Sequence, residues 1–273
     1  HASFISTPTS LTFVIWSDRH EDEYNHAARL QPGDLDMNAL SLTDELASEL
    51  LSGNLSLTEA DKRLNEIDAM GSPYGKLSTG MAFAMATGAF AMLMGASWSE
   101  IGWSAALGIV AYLWTLWAQQ SKRVNLMLEP VTAFVGGILT CAISRYIDPG
   151  MNIPLVVLSS VIVFVPGLAL TMGLAELSSR NMVSGTARTM DAIMQLFKLY
   201  FGAFLGVSVG FSVFGENVYT PAESLPYWAT WLAVFLLCIA LVAIFRTRLK
   251  HIPWALAAAF IAYSATAWSS DYM

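Results

Sequence analysis

The chain has 273 residues, 55% hydrophobic and only 13% charged, against about 45–50% and about 25% for a soluble globular chain. The charge is uneven: residues 1–76 carry 13 acids and 5 Lys/Arg (net −8), and residues 77–273 carry 8 acids and 9 Lys/Arg (net +1), which sum to −7. This excludes a wholly water-soluble globule, and it offers no basic surface for nucleic acid.

Residues 1–76 read as a small acidic α+β module facing the cytoplasm. Residues 9–16 have strand alternation, with Leu11, Phe13 and Ile15 on one face. The run Asp18 to Asn25 reads as a solvated turn. Leu35 to Leu51 has helical spacing, closed by Gly53 at the C′ position. Ser56-Leu57-Thr58-Glu59 matches a capping box that starts a second helix. Gly71 to Gly75 breaks the pattern and links the module to the apolar part. The module has no Cys, and His1, His20 and His26 fall in no metal or nucleophile arrangement, so no cofactor and no metal are expected. A membrane-anchored sensor or enzyme using this module is the alternative of another class. The chain opens on His1 with no basic segment leading into a short apolar run, so it reads as a piece of something longer.

Seven apolar runs follow, near 77–94, 98–118, 128–146, 153–171, 187–213, 225–245 and 251–268. Each approaches the ~17–25 residues that cross ~30 Å of hydrocarbon as a helix. The fold class is therefore an all-α polytopic membrane protein of about seven spans. Five spans make one membrane domain (77–213), and two begin a second (214–273). Cys141 and Cys238 sit inside apolar runs as packing residues. Lys122, Arg123, Arg180, Arg188, Arg246, Arg248 and Lys250 fall in or beside alternate loops, and the opposite loops hold only Arg145. The positive-inside rule makes the richer side cytoplasmic, and the acidic module with it.

Gly202, Gly206 and Gly210 recur every four residues in the fifth run. Three positions without side chains on one face suit close helix packing or a sliding surface; Gly80, Ala84 and Gly88 are a weaker version in the first. Ionisable groups in hydrocarbon cost about 2.5–3.5 kcal/mol each on insertion scales, so Asp191 and Lys198 need a reason. Seven residues put them on one face about 10 Å apart along the axis, and Arg188 can pair with Asp191. Lys198 either lies near mid-bilayer facing the bundle or snorkels to the interface. Glu129-Pro130 opens the third run, where Pro and a carboxylate suit a helix N-terminus. Glu176 and Arg180 are spaced for a helix-surface pair. Val165-Pro166-Gly167 interrupts the fourth run, as a kink or as a break that frees backbone groups of the kind transporters use for substrate.

These segments in order resemble the threonine/serine exporter (ThrE) family. The resemblance lies in Val165-Pro166-Gly167-Leu168, then Glu176, then Ser184-Gly185-Thr186-Ala187-Arg188, with Leu55–Ile67 upstream similar to that family's last cytosolic helix. It covers most of residues 4–213, and residues 225–268 are similar to the start of a second half. Many relatives have a second Pro and an Asn after the Pro-Gly; here Ala169 and Met172 stand there. The resemblance implies an inner-membrane, proton-coupled exporter (antiporter) of threonine and serine, or else a dicarboxylate exporter, and no enzyme. Pro166, Gly167, Thr171, Arg188 and Lys198 become substrate-pathway candidates, and Glu176 and Asp191 proton-coupling candidates. The implied partners are a small hydrophilic substrate, protons, the bilayer, and a second copy or companion half.

Overall fold

The computed structural model describes residues 2–7, 10–16, 23–29, 36–221 and 225–270. Three antiparallel strands come first: β1 (Ala2–Thr7), β2 (Ser10–Trp16) and β3 (Glu23–Arg29), in the order β1-β2-β3. Phe4 faces Phe13 and Phe13 faces His26 in the register. Their rings meet across the strands in tilted contacts at 6.3 and 5.3 Å, the kind of pairing that stabilises a sheet face. The expected charged turn at 18–25 is thus partly strand, because Glu23–Asn25 pair with Trp16–Val14. Residues 18–22, like His1, His20 and Leu35, lie outside the described residues.

Helices α1 (Met37–Leu51) and α2 (Leu57–Ala69) form a hairpin. Asp36 caps α1 by accepting the Ala39 N–H at 2.9 Å, Gly53 follows its end at φ +76°, and Ser56 caps α2 through the Glu59 N–H. Each cap takes up donors or acceptors that a helix end leaves orphaned. Then come α3 (Lys76–Leu93), α4 (Trp98–Ala118), the one-turn α5 (Lys122–Asn125), α6 (Leu128–Tyr146) and α7 (Ile153–Ser160). A 3₁₀ turn (Ile162–Phe164) leads to α8 (Gly167–Ser178), α9 (Met182–Phe214), α10 (Tyr227–Ile244) and α11 (Ile252–Ser270). Of these, α4, α9 and α10 are long and apolar enough to cross a membrane; α7 and residues 162–178, bent by 48° at the break between them, pass the same test only as a pair, as a broken span or a re-entrant loop. The other expected spans, α3, α6 and α11, are helices too. Their Ala, Gly, Ser and Thr content, and the charges Glu129 and Arg145 on α6, keep them below the apolarity of the first group.

The chain divides into two compact units, His1–Asp34 with Phe164–Phe201 and Leu35–Val163 with Gly202–Met273. In the second unit α3 packs between α4 and α10. Small residues let the backbones close: Ala82, Ala86 and Ala240 form one buried cluster, and Gly108 lies against Thr87 and the Phe83 carbonyl. Lipid tails are as apolar as Leu, so such contact, rather than hydrophobic burial, holds membrane helices together. On the last turns of α9, a methyl added at Gly202 or Gly206 would strike the carbonyl of Pro130 or Phe134 on α6. One at Gly210 would lie 2.6 Å from the Cys141 side chain. Glu100, 4% exposed, belongs to the first turn of α4 rather than to a loop. Its carboxylate accepts the Ser97 N–H at 2.7 Å, completing a capping box, and the Asn152 N–H at 2.6 Å just before α7.

The acidic helix α1 is bonded to the loop between α10 and α11. Met37 N–H donates to the Phe245 carbonyl at 3.1 Å, Arg246 pairs with Asp36 at 2.9 Å, and Arg248 pairs with Glu45 at 2.8 Å. Lys250 also pairs with Glu45, and Tyr74 donates to the Thr247 carbonyl at 2.7 Å. Burial alone would raise the Asp36 pKa, but the Ala39 N–H and Arg246 outweigh it and the net shift is downward. Lys250, then Arg248, hold the Glu45 carboxyl down to about 2 from its ordinary 4.5. A carboxylate with a depressed folded-state pKa contributes its stabilisation in full above the unfolded value and loses it on acidification. The Glu45 contacts are therefore complete above about pH 4.5 and fade as pH falls through about 2. Spin labels at Ser48 and Leu249 should show a single short distance at pH 6 that broadens across that window. Glu45→Gln should weaken the pH dependence, leaving the part that the Asp36–Arg246 pair contributes.

Candidate functional site

The first unit holds the interrupted segment. Pro166 lacks an N–H, so a helix cannot run through it without losing a bond. The chain instead makes a tight turn, with Pro166 at φ −80°, ψ 52° and the Gly167 N–H donating to the Val165 carbonyl at 2.8 Å. These are the angles and the bond of an inverse γ-turn. A break inside a membrane protein is tolerated only where protein or a water-lined cavity satisfies the freed groups. Gln195 of α9 answers part of that need by donating its side-chain N–H to the Phe164 carbonyl at 3.0 Å. Beyond the turn, Thr171 returns its hydroxyl to the Gly167 carbonyl at 2.9 Å. A side chain added at Gly167 would meet nothing within 4 Å, so the first turn of α8 presents open space.

Helix α8 ends in a Schellman motif. The Asn181 N–H bonds the Glu176 carbonyl at 2.9 Å and the Arg180 N–H bonds that of Leu177 at 3.0 Å, with Arg180 at φ 64°. Glycine is the usual residue at that position. This turn takes Arg180 off the helix and away from the expected pairing with Glu176. The chain then reverses into α9, and the two helices cross at Gly173 and Gly185. A methyl on Gly185 would stand 2.9 Å from the Leu177 nitrogen, and one on Gly173 would strike the Thr189 hydroxyl.

That close crossing brings Glu176 and Arg188 together at 3.1 Å, their side chains 24% and 35% exposed. The Ser184 hydroxyl lies beside the Glu176 carboxylate. Arg188 thus pairs across the hairpin with Glu176, not along its own helix with Asp191. Among the described residues Glu176 Oε2, Arg188 Nε and Thr189 Oγ1 are buried polar atoms with no hydrogen-bond partner. One acceptor, one cationic donor and one hydroxyl are left beside an ion pair. Buried polar atoms carry a cost until a partner satisfies them.

The hairpin therefore gathers Pro166, Gly167, Thr171, Glu176 and Arg188. Asp191 and Lys198 lie further along α9, exposed and half-buried, and among the described residues neither enters an ion pair. Gly202, Gly206 and Gly210 serve the contact with α6 described above. Gln195 and Thr189 escaped the sequence reading, and Ser184 entered it only as part of the family segment. For Gln195 a signal was present, since it sits on the Asp191–Lys198 face as the third polar residue at helical spacing. Among the described residues no group of His, Cys, Asp and Glu could hold a metal ion.

The crossing of this hairpin, with Glu176 and Arg188, lies within the stretch, residues 1–210, that matches the ThrE family, described as "Putative threonine/serine exporter". The chain belongs to the ThrE family. A relative, Pheromone-regulated membrane protein 10 of Yarrowia lipolytica (strain CLIB 122 / E 150), is 26% identical over 180 residues. That match covers 64% of this chain and 15% of the relative. No solved structure matches. In this ThrE chain, the Ser-Gly-x-Ala-Arg segment supplies the crossing glycine and both side chains beside Glu176.

A double-mutant cycle measures the pair. Glu176→Gln and Arg188→Gln, singly and together, followed by thermal unfolding in detergent, should yield a coupling of about 1 kcal/mol, as expected for a partly exposed pair. No coupling would mean that the two charges do not interact.

Proposed function

We propose that this chain is a proton-coupled exporter of small amino acids, threonine and serine first, and that the α8–α9 hairpin is where it handles them. Membership of the ThrE family supports the transporter class. The observation that carries the site is the Glu176–Arg188 pair beside the break at Pro166. A substrate carboxylate competes with Glu176 for the Arg188 guanidinium, which binds carboxylates in a planar, two-pronged geometry. The substrate ammonium then pairs with the freed Glu176 carboxylate, and a proton on Glu176 would remove that partner. Substrate and proton then exclude each other at one ion pair, and that exclusion couples outward movement of one to inward movement of the other. Pro166, Gly167 and Thr171 shape the open first turn of α8, and Asp191 and Lys198 extend the polar face of α9.

The same reading takes the seven helices as seven spans of an inner-membrane antiporter, with the acidic N-terminal module cytoplasmic. Charge distribution supports it, and so does the bonding of α1 to the basic loop at 246–251, which keeps the two on one side. A lone dicarboxylate suits this site less well, because its second carboxylate would face Glu176.

Proteoliposomes with an imposed proton gradient provide the test. Threonine and serine should move several-fold faster than in empty vesicles, with succinate slower. Glu176→Gln should abolish the dependence on the gradient, whereas Asp191→Asn should keep it. If none of the three solutes outpaces empty vesicles, the exporter assignment fails. If Asp191→Asn alone removes the dependence, the proton belongs on Asp191.

A further inference from the structure

A groove of about 490 Å³ runs beside α3 in the second unit. Gly80 and Ala84 lie along it, flanked by Met81 and Met85 of the same helix and by Ile109 and Leu113 of α4. It extends from Lys76 to Met92, about 24 Å at ~1.5 Å per residue, most of the ~30 Å hydrocarbon thickness. Leu77 is 81% and Met81 61% exposed, so the groove opens outward rather than into the bundle. Lys76, at one end, is the only charged residue along it, and among the described residues it is in no ion pair.

Three occupants can be weighed by magnitude. A zwitterionic metabolite would find almost no polar partner along these walls, and its desolvation would go uncompensated; the groove is not the substrate route. A transmembrane helix from a second copy is 10–12 Å across, so 24 Å of it fills roughly 1,900 Å³, several times the space present. An acyl chain is thin, apolar and flexible, and the volume falls within the ~300–1,000 Å³ of ligand pockets. The lysine then stands where the headgroup of such a chain would sit.

We propose that this groove binds one acyl chain of an anionic glycerophospholipid, with Lys76 meeting the headgroup phosphate. A basic residue near a membrane surface favours anionic lipid by about 1 kcal/mol, about five-fold. Apolar walls hold the chain regardless of headgroup, so charge and shape contribute separately.

Native mass spectrometry of the purified, delipidated chain tests both contributions, with phosphatidylglycerol and phosphatidylcholine of matched acyl chains as probes. Phosphatidylglycerol should be retained about five-fold better. Lys76→Gln should bring the two lipids to parity without lowering phosphatidylcholine binding. Ala84→Phe should remove one bound lipid of either kind, and Ile109→Trp does the same from the facing helix if Ala84→Phe does not fold. Equal retention of the two lipids by the unaltered chain overturns the headgroup assignment. An unchanged lipid count in a folded groove-filling variant overturns the site.

Discussion

Hydrocarbon offers a backbone no hydrogen bonds, so a chain that interrupts a membrane helix must satisfy what it frees. In this ThrE protein the interruption is Pro166, and the organisation of the hairpin follows from it. The inverse γ-turn closes Val165 onto Gly167, and Gln195 reaches across to the Phe164 carbonyl. That bond requires α9 to lie close to α8. Close approach requires glycine where they cross, at Gly173 and Gly185. The crossing in turn brings Glu176 within reach of Arg188. Chemistry that could serve transport is thus a consequence of solving a backbone problem.

The second unit solves a different problem, that of holding helices together where hydrophobic burial contributes little. Its answers are small-residue contacts among α3, α4 and α10, glycines of α9 against α6, and a few buried polar clamps. Glu100 is such a clamp, tying the starts of α4 and α7 with one carboxylate. Arg246 follows the end of α10 in the left-handed conformation and carries its guanidinium to Asp36. Arg180 occupies the same place after α8. Both give up the freedom of glycine, and Arg246 gains an ion pair by it.

Much of this was legible beforehand. The limits of α4 agree with the apolar run at 98–118, because Ser97 and Gln119 end it sharply. An interruption at Val165-Pro166-Gly167 followed from proline chemistry, which left open whether it was a kink or a break. The start of α9 did not follow from the pattern, since the apolar run begins only near 187 while the helix begins at Met182, with Ser184, Gly185 and Thr186 in its first turns. Counting residues along one helix offered Arg180 to Glu176 and Arg188 to Asp191. A Schellman turn, invisible to periodicity, exchanged those partners. The second partner of Glu100, the Asn152 N–H, lies 52 residues away, beyond any local signal. Local signals set the elements, and long-range contacts chose the partners.

If the hairpin handles substrate, the first turn of α8 lines a water-filled, substrate-contacting space. Cysteine labelling addresses it, in a background with Cys141→Ala and Cys238→Ala. Gly167→Cys and Thr171→Cys should react quickly with a membrane-impermeant thiol reagent, and threonine or serine should slow both. Phe235→Cys, on the exposed face of α10, should react slowly and without regard to either solute. If positions 167 and 171 react no faster than 235, or ignore both amino acids, the break is a packing feature and the substrate passes elsewhere.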